Sequence, residues 1–441
     1  MNEHLSLSSV TLLTPGRPGL CEGRENVVDV LVRIQAPDAP AEAVTARPPQ
    51  ALALVVDRSG SMAGKPLAEA QRCADFVVSR LRAGDAAAVV QFDNRVERLW
   101  PAVPVADGAA VRGAIRRIHA GGNTNLHGGW LEGATALADM PGSGLKRVIL
   151  LSDGCANEGV VDAGEIAAQC AAWAAWGITT STYGLGDNFN EELMVAMARA
   201  GGGSHYYGDT ANDLMEPFQQ ELDLLANLAM RNVEMWVWAP DGIAVEMLND
   251  MRAAGNGWRL PDLAWGSEAW AVLRLRVPAG ALPSLGNRMA LLRVSVTGQT
   301  LQGEPVVLER VGLALPVLTQ AAFDALMDDE LVRRRLAEVE AGHELERMRA
   351  AAQAGDWQSV DALLNDAQAR FARSEWLSSI LAAMAGVAQG RSRERMMKET
   401  RYSSAKLSAR LAAKDEHDTI SFCESASSYL RRKPLQGKGD L

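Results

Sequence analysis

The sequence predicts an α/β fold in which a doubly wound, mostly parallel sheet is inserted into a discontinuous β-sandwich and followed by a helical C-terminal region. Three observations lead there. Between about residues 50 and 228, short uncharged apolar runs alternate with stretches of helical period, the rhythm of right-handed βαβ crossovers. On either side of that block, apolar and polar residues alternate between Pro, Gly and Asn turns, as in antiparallel strands with one buried face. From Ala321 onward the spacing is that of amphipathic helices. A chain of 441 residues is long enough for two or three domains with sizeable cores.

In chain order, Leu5 to Leu13 and Val27 to Ile34 read as two antiparallel strands around the turn Thr14-Pro15-Gly16-Arg17-Pro18-Gly19. Ala36 to Pro49, with Pro37, Pro40, Pro48 and Pro49, reads as a linker that can sustain neither helix nor central strand. Ala51 to Val56 is a strand buried on both faces, since parallel sheets covered by helices give unbroken apolar runs. A helix follows from Pro66 to about Arg82, with Leu67, Ala70, Cys73, Ala74, Val77, Val78 and Leu81 on one face. Ala86–Phe92 is a strand, Val96–Trp100 its hairpin partner, and Gly108–His119 and Leu126–Ala138 are helices. Strand Arg147–Ser152, helix Ala163–Trp176, strand Ile178–Leu185, helix Asn190–Ala200, edge strand Ser204–Tyr207 and helix Ala211–Leu228 complete this block.

Beyond it, strands are expected at Val233–Trp238, Ile243–Met247, Trp258–Leu260, Ala269–Val277, Arg288–Val296 and Val306–Leu313, with Trp236, Trp238, Trp258, Trp265 and Trp270 as core. Helices are expected around Phe323, over Leu331–Arg349 and Ser359–Arg373, and over Ser374–Ala388. The resulting domains are 1–46, N-terminal sandwich strands; 47–229, the parallel-sheet domain; 230–318, the rest of the sandwich; 319–390, a helical hairpin or bundle; and 391–441, a polar tail.

Chemistry concentrates where the Ala51–Val56 strand ends. Asp57, Ser59 and Ser61 present oxygens at alternate positions in a turn that Gly60 can bend, and could converge on a small hard cation. The string is short, and a Ser-rich turn after a strand is more often a helix cap. Two further stretches raise its standing: Gly121-Gly122-Asn123-Thr124-Asn125 opens a helix and offers the Thr124 hydroxyl, and the strand Arg147–Ser152 ends in Asp153. Ligands of open α/β sheets collect at the carboxyl ends of strands, where these loops would meet. In type, order and separation the set resembles the metal-ion-dependent adhesion site of von Willebrand factor A domains, over residues from about 50 to 225, roughly half the chain. The resemblance implies that Asp57, Ser59, Ser61, Thr124 and Asp153 hold a divalent cation, Mg²⁺ or else Mn²⁺ or Ca²⁺, whose last coordination place is filled by an acidic residue of a partner protein. The order of β flanks, inserted domain and helical C-terminus is similar to cytoplasmic von Willebrand A proteins of bacteria.

Other motifs carry less. Gly60-Ser-Met-Ala-Gly64-Lys65 is one residue short of a phosphate loop, with Pro66 where Ser or Thr belongs, and Gly184-Leu-Gly186 lacks the third small residue of a dinucleotide turn. His127 and Cys155 flank the proposed site, yet no oxyanion loop accompanies them. Asp93, Asn94, Asn157 and Glu158 read equally as rim oxygens and as turn formers. A net charge of −10 argues against general nucleic-acid affinity, and no window approaches a bilayer-spanning length. Five scattered cysteines and an N-terminus without a leader pattern fit a soluble, cytoplasmic protein. The expectation is thus a non-enzymatic adaptor or scaffold module that captures an Asp or Glu of a partner. A metal-dependent hydrolase using the same ion, and a scaffold with a vestigial site, are the competing classes.

Overall fold

The computed structural model describes residues 9–40, 49–106, 108–141, 144–153, 156–185, 190–208, 210–255, 257–409 and 411–413. They fall into two compact units, one from the stretch ending at Asn227 and one from its two flanks, up to Pro40 and from Leu228 onward. The N-terminal flank contributes β1 (Val10–Pro15), β2 (Leu20–Cys21) and β3 (Asn26–Gln35). Residues 41–48 of the expected linker and 5–8 of the expected first strand lie outside the described residues.

The middle unit contains β4 (Gln50–Asp57), α1 (Lys65–Arg80), β5 (Ala86–Phe92), β6 (Val96–Pro104), α2 (Ala109–Arg116) and α3 (Leu126–Ala138). It continues with β7 (Leu145–Ser152), α4 (Ala163–Ala175), β8 (Ile178–Leu185), α5 (Glu191–Ala200), β9 (Gly202–Gly208) and α6 (Ala211–Ala226). The sheet order is β6-β5-β4-β7-β8-β9, parallel except for β6. Every residue of β4 and β5 is buried, because helices cover both faces, and this is why their sequences are unbroken apolar runs. Arg147 is the charged exception in β7: it is buried with Glu221 of α6, whose carboxylate also accepts the Ser181 hydroxyl at 2.6 Å. Two glycines seat α3 on the sheet. A methyl on Gly133 would stand 2.4 Å from Val55 Cγ2, and one on Gly129 2.4 Å from the Phe92 ring. From β4 the chain steps to β5 on one side and returns to β7 on the other, so the strand order reverses at β4.

The flanking unit adds β10 (Leu228–Trp238), β11 (Ala244–Met247), β12 (Arg252–Ala254), β13 (Gly257–Arg259), β14 (Leu263–Ala264), β15 (Ser267–Val277), β16 (Arg288–Gln299), β17 (Pro305–Val307) and β18 (Val311–Leu318). Five helices follow, α7 (Gln320–Asp324), α8 (Glu330–Gln353), α9 (Trp357–Arg370), α10 (Glu375–Gln389) and α11 (Arg393–Ala409), and then β19 (Ala412–Ala413). Two sheets result. One runs β1-β3-β15-β11 with β19 also on β15, and the other β12-β13-β10-β16-β18-β2 with β14 and β17 attached. β3 and β15 pair antiparallel over ten residues, although Gln35 and Glu268 stand 233 residues apart in sequence. α8 covers that sheet: Leu31, Trp270 and Val272 pack with Val332 and Val339, and Ala412 joins the same cluster.

Four expectations need correction. The polar tail over 391–441 contains α11 and β19. α11 lies along α8 through Met396, Thr400, Ser403, Ser404 and Leu407, and Gly342 of α8 leaves room for the Ser404 carbonyl. Between Met396 and Leu407 its buried residues are polar, Thr400, Ser403 and Ser404 among them, and Thr400 satisfies its hydroxyl on the Met396 carbonyl at 2.6 Å, so no continuous apolar stripe announces it. The single strand Val306–Leu313 is two, β17 and β18, both on β16, because the ladder lapses between the Leu308 N–H, which still donates to the Val296 carbonyl at 2.9 Å, and Val311. Among the five tryptophans, Trp270 is fully buried, whereas Trp238 is half exposed with Arg310 over its ring. Helix Ala211–Leu228 stops at Ala226, and Leu228 already opens β10. Among the described residues no helix is long and apolar enough to cross a membrane.

The close seat of α3 is open to test. Gly133→Ala gains helix propensity but drives a methyl into Val55, so a net loss of about 1–3 kcal/mol is expected. Urea unfolding measures it; a midpoint at or above the wild-type value would contradict the packing described.

Candidate metal centre

The carboxyl end of β4 is where strand order reverses, and it ends in a charge. Asp57 is fully buried; its Oδ1 accepts the Ser59 backbone N–H at 2.8 Å and its Oδ2 accepts the Ser152 hydroxyl at 2.6 Å. Its carboxyl is raised to about 6: burial drives the rise and the Asp153 charge adds to it, against the Ser152 and Ser59 hydrogen bonds, which lower it. The groups bonded to this anion are therefore neutral ones. Ser59 is buried and Ser61 exposed, with their hydroxyls 3.1 Å apart, and a turn of 3₁₀ helix over Gly60–Met62 anchors the loop through buried Met62.

The Thr124 loop is zipped to this one. Gly60 N–H donates to the Gly122 carbonyl at 2.8 Å, and Gly121 N–H to the Arg58 carbonyl at 2.7 Å. On its other side, the Thr124 N–H donates to Asn157 Oδ1 at 2.8 Å while its carbonyl accepts the N–H groups of Asn157 and Glu158 at 3.1 and 3.2 Å. Thr124 is 2% exposed, and Asn125 caps α3 by accepting the Gly128 N–H at 2.9 Å. Asp153, 7% exposed, directly follows Ser152, and its carbonyl accepts the Asn190 N–H at 3.1 Å. The loops bearing all five sequence-predicted residues thus abut at the sheet's carboxyl edge.

Other expectations sort themselves out by contact. His127 Nε2 pairs with Gln169 Oε1 at 2.8 Å, so its ring is engaged with α4. Cys155 and residues 186–189 lie outside the described residues. Asn157 bolts the Thr124 loop rather than serving a rim, and Asp93 bonds Gly122, Arg95 and Arg58. Sequence reasoning missed Ser152, read only as the end of a strand, and Arg58, read as a spacer. A hydroxyl immediately before the third loop's aspartate was the available signal for Ser152.

The donor set is one of hard oxygens, two carboxylates and three hydroxyls, which suits Mg²⁺, Mn²⁺ or Ca²⁺ better than a soft metal. No group of three or more His, Cys, Asp or Glu side chains gathers for a metal among the described residues. A buried carboxylate with only neutral donors is the feature a cation would compensate.

Residues 51–221 match the sequence family described as the von Willebrand factor type A domain. This stretch is a von Willebrand factor A domain. The resemblance of fold extends past it: a von Willebrand factor type A protein from Catenulispora acidiphila superposes with a TM-score of 0.70 at 17% identity, over 91% of this chain and 98% of that one. The ArnB paralog VWA2 from Sulfolobus acidocaldarius superposes at 0.61 and 16% identity, over 90% and 99%. The uncharacterized protein sll0103 of Synechocystis is 30% identical over 193 residues, 43% of this chain and 44% of its own. YfbK of Escherichia coli is 31% identical over 179 residues, 40% of this chain and 31% of its own. The chain thus spans less than half the length of these two relatives.

The raised pKa of Asp57 sets a pH dependence. Its folded value lies above the unfolded one, so the fold binds its proton more tightly, and this group's contribution weakens the metal-free protein as pH rises from about 4 to about 6. In chelator at pH 8, Asp57→Asn should therefore be more stable than wild type, by at most about 3 kcal/mol, with the gap closing below pH 4. Thermal unfolding across that range checks it; a wild type more stable than the variant at pH 8 without metal would show that the A domain meets the Asp57 charge by other means.

Proposed function

We propose that the A domain is a non-enzymatic, metal-dependent protein-binding module that takes up a Glu or Asp side chain of a partner. The observation that carries the reading is the buried Asp57 carboxylate, bonded to neutral donors only, at the switch point of the sheet. Asp57, Ser59 and Ser61 are the residues to hold Mg²⁺, or Mn²⁺ or Ca²⁺, with Thr124 and Asp153 completing the set. When bound, the ion supplies a positive charge with a coordination place open to an incoming carboxylate. Asp57 is the charged ligand, and the hydroxyls of Ser59 and Ser61 add donors without adding charge, which leaves that positive charge largely uncancelled. An acidic partner side chain is then favoured over a neutral or basic one.

A hydrolytic role would require a base poised over the site, and the nearby imidazole of His127 is committed to Gln169. The described cysteines, Cys21, Cys73 and Cys170, are buried free thiols, and burial pushes the Cys170 thiol up to about 12. That usage supports work in a reducing compartment, and we place the protein in the cytoplasm on this ground.

The test is capture from the native cell on the immobilised full chain, in Mg²⁺ and in chelator. Proteins held equally in both would refute the reading. Among captured proteins, replacing one critical Glu or Asp by Gln or Asn should cost most of the affinity. Thr124→Ala should lower partner affinity by about tenfold, the loss of one oxygen donor, while Mg²⁺ uptake without partner changes less. A variant that loses metal yet keeps its partner would assign Thr124 the opposite role.

A further inference from the structure

Asp93, just past the end of β5, makes more bonds to the metal loops than any turn requires. Its carbonyl accepts the Asn125 N–H at 2.9 Å and its Oδ2 the Gly122 N–H at 3.1 Å, so it grips both ends of the turn that carries Thr124. The same Oδ2 lies 2.9 Å from Arg58 Nη2, and Arg58 sits between Asp57 and Ser59 in the first metal loop. Its Oδ1 is occupied by the Arg95 N–H at 2.7 Å, and its own N–H donates to the Arg95 carbonyl at 2.9 Å. Arg58 in turn reaches the His119 carbonyl at 3.4 Å, while its N–H donates to the Phe92 carbonyl at 2.9 Å.

The approach is close enough to exclude side chains. A methyl on Gly121 would lie 2.0 Å from Asp93 Oδ2, and one on Gly122 2.3 Å from Asn94 Oδ1. The Asp93 side chain is 4% exposed, yet burial, which would raise its carboxyl, is outweighed by the Arg95 and Gly122 amides and by Arg58, which together hold it below the usual range. A charge held so firmly is a fixed point of the site, not a titrating one.

We propose that Asp93 is a positioning residue for the metal centre: through Arg58 and the Gly122 amide it sets the Thr124 loop against the loop of Asp57, Ser59 and Ser61. The inference rests on the metal-binding reading of the site. It assigns Asp93 no place among the ligands. A ligand loop held in place before the ion arrives costs less to organise on binding, so removing the anchor should appear as lost metal affinity. An amide is a poor substitute. In Asp93→Asn the single amide oxygen would serve Arg58 and Gly122 and leave the N–H₂ facing the Arg95 N–H, so one of the three donors loses its acceptor.

The probe is Mg²⁺ alone, titrated calorimetrically into the full chain, with amide hydrogen exchange at Gly122 and Asn125 followed in chelator. Asp93→Asn and Arg58→Ala should each weaken Mg²⁺ by about tenfold. Their combination should cost little more than either, since both remove the same Asp93–Arg58 charge pair, and Arg58→Lys should restore part of the loss. Exchange at Gly122 should quicken in every weakened variant while the cooperative melt persists. Should Asp93→Asn not fold, Arg58→Ala carries the test, its side chain being 21% exposed. Unchanged Mg²⁺ affinity in variants whose Gly122 exchanges faster overturns the proposal and leaves the metal site standing, as does strict additivity of the two losses. A wild type that takes up no Mg²⁺ overturns both the metal reading and the positioning role of Asp93.

Discussion

A parallel sheet covered on both faces can end in a charge only where the covering helices stop, and the organisation of this A domain follows from that constraint. β4 is buried from Gln50 to Asp57, and the carboxylate that closes it is as buried as the valines before it. Two neutral donors, the Ser59 amide and the Ser152 hydroxyl, cannot balance a full charge. The neighbouring loops have accordingly been drawn over it. Backbone bonds join Arg58 and Gly60 to Gly121 and Gly122, and further ones join Thr124 to Asn157 and Glu158, so three loops act as one lid of fixed shape over a charge that calls for a cation.

Rigidity of that lid comes from beneath. Gly129 and Gly133 let α3 settle on Phe92 and Val55, and α3 begins at the cap formed by Asn125, the residue after Thr124. Thr124 is thus tied at one side to a helix that cannot slide and at the other to Asp93. Trp130, fully buried, extends the same helix's hold to β8 by donating to the Thr180 hydroxyl at 2.9 Å. Packing of ordinary kind, deep in the domain, translates into positional accuracy at its surface.

The parallel strands were legible because burial on two faces leaves no alternation: Ala51–Val56 reads as a strand from apolar residues alone, and Ile178–Leu185, an uncharged run rich in threonine, matches the observed β8 end for end. The β flanks were legible from alternation, and their pairing across the insertion from the need of each side for edge partners. What escaped notice has a common cause. α11 buries serines and threonines, Arg147 and Glu221 bury charges against each other, and Ser152 and Arg58 act through contacts between distant segments. A one-dimensional pattern registers the polarity of each side chain, whereas these residues satisfy theirs on partners brought near only by the fold. The spacing motif located the Asp57, Ser59 and Ser61 loop for the same reason in reverse, since its three oxygens lie on five consecutive residues.

The pairing of β3 with β15 has a consequence in time. A ribosome adding roughly 5–20 residues per second needs on the order of 10–50 s to deliver β15 after β3 has emerged, given the 233 residues between Gln35 and Glu268. Throughout that interval the A domain can complete its own sheet, while the β1–β3 hairpin presents Val30, Val32 and Ile34 beside an unpaired backbone edge. Synthesis of this chain therefore includes a waiting period in which a finished domain travels with an unfinished one, and the speed of translation through the insertion determines how long that edge stays open to the wrong strand.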